Sequence, residues 1–265
     1  MVCVYDSGVG GLSALPAIRR QAPLCDILYL GDSARVPYGT RSPGALVGFA
    51  REALDYLADY APSLVLVACG TVSTVCLPLL SGHYPFPVVG VAEAGVAAAI
   101  AAAPHRRIAV LGTEATVGSG YLERRILALA PDAHVASLAC PMLVSLAEGG
   151  FVGEDDPIPS LVTERLLAPL RAEEPEAVIL GCTHFAWLAP HIARALPGAT
   201  LIDCSAATAR ALAPRLLADG GTGRTEVLVT DNPAGFARTA ARALGVCLAC
   251  EPRLVSLTRP AEGVK

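Results

Sequence analysis

Leu64-Val65-Leu66-Val67-Ala68 is apolar at every position and runs directly into Cys69-Gly70-Thr71. A strand with one wet face alternates apolar and polar residues. An unbroken apolar run suits a strand of a parallel sheet covered on both faces. Similar runs recur along the chain, separated by amphipathic stretches. Strands are predicted over 2–6, 26–31, 63–68, 87–91, 106–111, 134–138, 176–180, 199–203 and 225–230. Helices are predicted near 11–20, 42–60, 93–103, 118–130, 141–150, 157–172, 185–196, 205–219 and 233–244. Repeating βα units imply a doubly wound α/β architecture with largely parallel sheets. Ligands in such sheets bind beyond the carboxyl ends of the strands. The residues just past each strand therefore carry the information about function.

Those residues hint at a duplication. Val65-Leu66-Val67-Ala68-Cys69-Gly70-Thr71 resembles Val178-Ile179-Leu180-Gly181-Cys182-Thr183-His184. Val2-Cys3-Val4-Tyr5-Asp6-Ser7-Gly8 resembles Ile108-Ala109-Val110-Leu111-Gly112-Thr113-Glu114. The offsets, about 113 and about 106 residues, are close to one another. Two related halves would set one cysteine from each across a shared cleft. Chance likeness between short hydrophobic strands is the competing reading.

Composition removes several classes of function. The chain has 265 residues, 53% of them hydrophobic and 17% charged, enough for a sizeable core. Its net charge of −4 leaves no basic stripe of the kind that binds nucleic acid. No apolar run reaches the roughly 18 residues of a membrane helix, and no signal peptide is expected, which points to the cytoplasm. The only lysine is Lys265, at the last position, where a fraying chain would hold it poorly. Pyridoxal phosphate needs a lysine for its Schiff base and a P-loop needs one for its phosphates. Both are excluded on this reading, and no cofactor and no metal is expected.

Nine cysteines in a chain without an export signal read as reduced, mostly inert thiols. Cys247-Leu248-Ala249-Cys250 follows a helix and has no second pair for zinc, so it reads as structural. Cys69 and Cys182 differ from the rest, because each stands just past a strand and before a turn into a helix. A helix N-terminus there is expected to lower the thiol pKa toward a usable base. His184 is placed to hydrogen-bond Cys182. Asp6-Ser7-Gly8-Val9-Gly10-Gly11-Leu12 reads as an anion-receiving turn or simply a tight one, with Ser13 where a dinucleotide fingerprint has glycine. Asp6 there is suited to orienting a thiol. The Val36-Pro37-Tyr38-Gly39 loop offers backbone N–H groups to a carboxylate, and Glu148 closes an apolar helix.

Taken together, these motifs resemble glutamate racemase, within the aspartate/glutamate racemase superfamily. Gly31-Asp32-Ser33-Ala34-Arg35, Gly112-Thr113-Glu114-Ala115-Thr116-Val117 and Cys140-Pro141 complete the match, which runs from Val4 to about Gly245. The resemblance implies two pseudo-symmetric domains, 1–92 with 207–265 and 93–206, with the active site in the cleft between them. It implies that Cys69 and Cys182 are the two bases, that Asp6 assists Cys69, and that His184 and Glu148 assist Cys182. Asp6, Ser7, Tyr38, Gly39, Gly70, Thr71, Thr113, Thr116, Thr183 and His184 would meet the substrate. The implied activity is cofactor-independent interconversion of L- and D-glutamate for peptidoglycan, in a homodimer.

One position departs from the pattern. The family has asparagine where this chain has Gly70. A lost side-chain contact to a charged substrate is worth about 1.5–3 kcal/mol. This keeps a second acid such as aspartate open as substrate. A non-catalytic relative that binds an acidic ligand, and a cysteine-nucleophile hydrolase, are the readings from other classes.

Overall fold

The computed structural model describes residues 1–244, 248 and 250–257. Its strands are β1 (Val2–Asp6), β2 (Ile27–Gly31), β3 (Leu64–Val67), β4 (Val88–Gly90), β5 (Arg107–Gly112), β6 (His134–Ala139), β7 (Ala177–Leu180), β8 (Thr200–Asp203), β9 (Thr225–Val229) and β10 (Arg253–Leu254). They form two sheets, one in the order β10-β9-β2-β1-β3-β4 and one in the order β6-β5-β7-β8. Every neighbouring pair is parallel. The α/β class with parallel sheets is therefore as the apolar runs indicated. Strands β1 to β9 lie where the sequence predicts them. Strand β10 was missed, since two exposed residues carry no period to read.

The order β2-β1-β3-β4 of the first sheet is repeated as β6-β5-β7-β8 in the second. The two pairs of similar motifs occupy matching places, β1 with β5 and β3 with β7. Register then fixes what lies beyond the strand ends. Tyr5 pairs with Val67 and Leu111 pairs with Leu180. Two residues further on, Ser7 comes beside Cys69 in one sheet and Thr113 beside Cys182 in the other.

Strands β1, β2, β3 and β7 are buried at every residue. Side chains alternate between two apolar layers, as the period of a strand requires. Val2, Val4, Leu64 and Leu66 join an inner cluster that also takes Ile108, Val110, Ala177 and Ile179 from the second sheet. Helix Ala92–Ala102 contributes Val96 and Ala99 to it. One core thus links the inner faces of both sheets. Helix Pro43–Ala58 covers the outer face of the first sheet with Leu46, Leu54 and Leu57. Helices Pro141–Gly149 and Pro157–Arg171 cover that of the second with Leu143, Ala147 and Leu167. Each such leucine contributes about 1.5–3 kcal/mol by leaving water.

Several helices are more broken than their periodicity suggests. The stretch 118–130 is the helix Tyr121–Leu129, which starts only after Gly120, whose φ is 61°, and a short helix before it, Glu114–Gly118, was not predicted. The stretch 205–219 is two helices, Cys204–Ala211 and Ala213–Asp219, and Pro214 opens the second. The stretch 185–196 begins as a 3-10 turn, Thr183–Leu188. The eight described cysteines are all free, and seven are buried. Cys247 and Ala249 of the C-x-x-C motif, and Lys265, lie outside the described residues. Among the described residues no helix is long and apolar enough to cross a membrane, and no group of three His, Cys, Asp or Glu could hold a metal ion.

Candidate active site

A cavity of about 240 Å³ lies at the carboxyl ends of the strands of both sheets. Cys69 and Cys182 both line it. Cys69 caps helix Gly70–Val75, and its thiol lies 3.6 Å from the Ser7 hydroxyl. The expectation of a lowered thiol pKa is overturned here. Burial, then the carboxylate of Asp6, push Cys69 up to about 12, and the Val72 N–H and Ser7 offset this only in part. A short helix start is outweighed by desolvation, so Cys69 is held as a thiol.

Asp6 ends β1 and is fully buried. One carboxylate oxygen accepts the Gly8 N–H at 2.9 Å, and the other has no partner. Burial raises its pKa above the ordinary carboxylate value, against the Gly8 N–H and the charge of His184. No hydrogen bond joins Asp6 to Cys69. They are coupled through charge.

The second cysteine has other company. Cys182 follows β7, and its sulfur lies 3.5 Å from His184 Nδ1. On the far side of the ring, Nε2 is 3.0 Å from a Glu148 carboxylate oxygen. The N–H is poorly aligned with that oxygen, so the contact is an ion pair more than a hydrogen bond. Burial alone would lower the His184 pKa. Its contacts to Cys182 and then Glu148 outweigh burial and push it up to about 10. Trp187 packs edge-on to the imidazole, with ring centres 5.0 Å apart, and fixes its plane. Helix Pro141–Gly149 presents Glu148 from its last turn, where Arg242 donates to the Glu148 carbonyl at 2.5 Å.

Polar groups close the floor of the cavity. The Thr71 hydroxyl, from the first sheet's side, is 2.9 Å from Thr113 and 3.3 Å from Thr116, on the second sheet's side. Thr113 donates to Thr116 at 2.9 Å, completing a triangle of hydroxyls. Tyr38 and Gly39 also line the cavity, with Gly39 packed against Thr113. The Tyr38 hydroxyl is not free to meet a ligand, since it bonds Asp32 and lies 3.1 Å from Tyr5.

Asp32 was not recognised as part of the site by sequence reasoning. It is fully buried and also accepts from Arg35 at 2.6 Å and Thr230 at 2.8 Å. Its place in the Gly31–Arg35 motif was the available signal. Glu114 and Pro141 also line the cavity; they stood in the recognised motifs but were not named as site residues, and Val144 and Ser145, in the predicted helix 141–150, were missed. Ser7, Gly70, Thr71, Thr113, Thr183, His184 and Glu148 do line the cavity, whereas Asp6 and Thr116 stand behind it.

Residues 13–212 match the Asp/Glu/Hydantoin racemase family. The chain belongs to that family. Glutamate racemase from Aquifex aeolicus is 38% identical over 96% of this chain and 96% of its own. Among solved structures, glutamate racemase isoform RacE1 from Bacillus anthracis matches with a TM-score of 0.89 and 32% identity, covering 97% of each chain. Glutamate racemase from Francisella tularensis in complex with D-glutamate matches with a TM-score of 0.88 and 30% identity, again over 97% of each. Membership of this racemase family fits a cavity that holds two cysteines with unlike neighbours.

Proposed function

We propose that this chain interconverts L- and D-glutamate without a cofactor, using Cys69 and Cys182 as the two proton-transfer groups. The observation that carries the proposal is the pair of cysteines in one cavity, one beside a buried carboxylate and the other beside an imidazolium. The named relatives, and the D-glutamate held by the Francisella protein, support glutamate as substrate.

An α-proton next to a carboxylate is a weak acid, and removing it creates negative charge. Preorganised hydroxyl and N–H donors stabilise that charge better than mobile water does. Ser7, Thr71, Thr113 and Thr183 are such donors. For the reaction Cys182 acts as the base beside protonated His184 and takes the proton from one face. Cys69, kept as a thiol by burial and Asp6, gives a proton to the other. The product leaves Cys182 protonated and Cys69 ionised, the state the opposite enantiomer uses. Asp6 assists Cys69 through its charge, which favours the return of a proton to that sulfur. Two titratable groups with environments of opposite sense are what such a division of labour needs.

The flanks of the second sheet, 93–206, then form one domain, and 1–92 with 207–265 the other. We place the enzyme in the cytoplasm as a homodimer feeding peptidoglycan synthesis. Light scattering after size exclusion tests the dimer.

Proton NMR of L-glutamate in D₂O, without cofactor and with optical rotation followed in parallel, tests the reaction. Loss of the α-proton signal with inversion is expected. No exchange with either enantiomer of glutamate sinks the assignment, and exchange with aspartate instead would make this chain a racemase of the shorter acid.

A further inference from the structure

We propose that Gly70 is a positioning residue that sets how closely the cysteine of one half approaches the cysteine of the other. The proposal rests on the two-cysteine reading above. A side chain lost from a cavity wall ordinarily leaves room for a larger ligand. Here the room is taken. A β-carbon built on Gly70 would stand 1.9 Å from the Gly181 carbonyl oxygen and 2.8 Å from its carbon. Real β-carbons essentially never come within 3.0 Å of a neighbour, so the strand end would have to retreat by about 1.1 Å.

Gly70 directly follows Cys69, and Gly181 directly precedes Cys182. The contact is therefore made by the peptide links next to the two sulfurs. Nothing at this point can flex to absorb a methyl group, because the opposing atom is backbone. Gly181 is itself pinned, since its N–H is bonded to the Leu111 carbonyl at 2.8 Å. Two further seats lie on the same seam. A β-carbon on Gly10 would stand 2.2 Å from the Thr183 hydroxyl, and one on Gly39 would stand 2.7 Å from Thr113. The first half thus meets the second through bare backbone at three places around the cavity. Gly70 is the one beside both cysteines, and it is where the chain departs from the asparagine of its family. On this account glycine does not widen the substrate range. It exchanges a side-chain contact for a tighter approach of the two sulfurs.

Gly70→Ala separates these ideas. A displacement of about 1 Å between reacting groups costs roughly a hundredfold, and that loss is expected in kcat with KM changed much less. A carbanion formed at one sulfur and out of reach of the other is reprotonated from the side it came from. The ratio of α-proton exchange with retention to exchange with inversion in D₂O should therefore rise, whereas simple loss of folded enzyme lowers both equally. Gly70→Asn should lose at least as much turnover. Wild-type turnover and an unchanged exchange ratio in Gly70→Ala, or higher turnover in Gly70→Asn, would overturn the proposal. A crystal structure of the wild-type chain gives a reading that needs neither activity nor a folded variant. The Gly181 carbonyl should occupy the place of the absent β-carbon, and a gap there wide enough for a methyl group overturns the proposal. If wild-type enzyme neither exchanges nor inverts glutamate, the proposed reaction fails, and the position of Gly181 still decides the role of Gly70.

Discussion

The surroundings of Cys69 and Cys182 start alike and end opposite. Both cysteines stand two residues past a paired position at the end of a fully buried parallel strand, each beside a hydroxyl residue from the neighbouring strand. Around Cys69 the strongest charged influence is the buried carboxyl of Asp6, which adds to the cost of a thiolate. Around Cys182 it is His184, whose proton is held up to about pH 10 by the sulfur and Glu148. The backbone thus supplies symmetry and the neighbours remove it. A symmetric reaction needs both faces of one carbon served, and it also needs one group to arrive with a proton and one without.

The largest expected effect comes from removing either sulfur. Cys69→Ala and Cys182→Ala should each lower inversion by about a thousandfold, the scale of a lost acid–base group. Each should keep α-proton exchange with retention for one enantiomer only, and the two variants should keep opposite enantiomers, read by NMR in D₂O. Exchange of the same enantiomer by both would break the comparison.

Next comes His184→Asn, expected to lower kcat by about a hundredfold while KM moves little. Its pH–rate profile should lose the alkaline limb that His184 deprotonation gives the wild type. Glu148→Gln should cost about two- to fivefold, because the Glu148 side chain is 42% exposed and an exposed ion pair is worth little. A loss as large as that of His184→Asn would mean that Glu148 does more than bias the imidazole.

The smallest effect is on stability. The folded-state His184 value, about 10, lies above the ordinary 6.5, so the native state holds this proton more tightly than the unfolded chain. Its contribution is full below about pH 6.5 and is lost as pH rises through about 10. The urea midpoint of the wild type should fall between pH 6.5 and 9, before the thiols begin to titrate from their ordinary value of 9.0. His184→Asn should show a shallower fall over the same window.

How much of this was legible in the sequence depends on what kind of fact it is. Unbroken apolar runs gave β1, β2, β3 and β7, because a strand covered on both faces leaves its mark on every residue, whereas β6 and β8 are partly exposed and were placed by the recurrence of strand and helix along the chain. The two motif pairs indicated the repeated strand order, and both cysteines were found by their place past a strand. Asp32 was passed over, because its partners Thr230, Arg35 and Tyr38 converge only once β9 has come beside β2. The state of Cys69 was misjudged for a related reason. A helix start can be seen in a line of letters, whereas the depth of burial that outweighs it cannot. Gly70 read as a missing contact, since the carbonyl that fills its place comes from a residue more than a hundred positions away.

The triangle formed by Thr71, Thr113 and Thr116 bears on what it takes to fill the cavity. Three hydroxyls that bond one another are already partnered within the protein before anything enters. An arriving carboxylate needs only their hydrogens, and these turn about single C–O bonds while every heavy atom stays in place. The wall is therefore a cocked latch: it can receive an anion by redirecting bonds it already has.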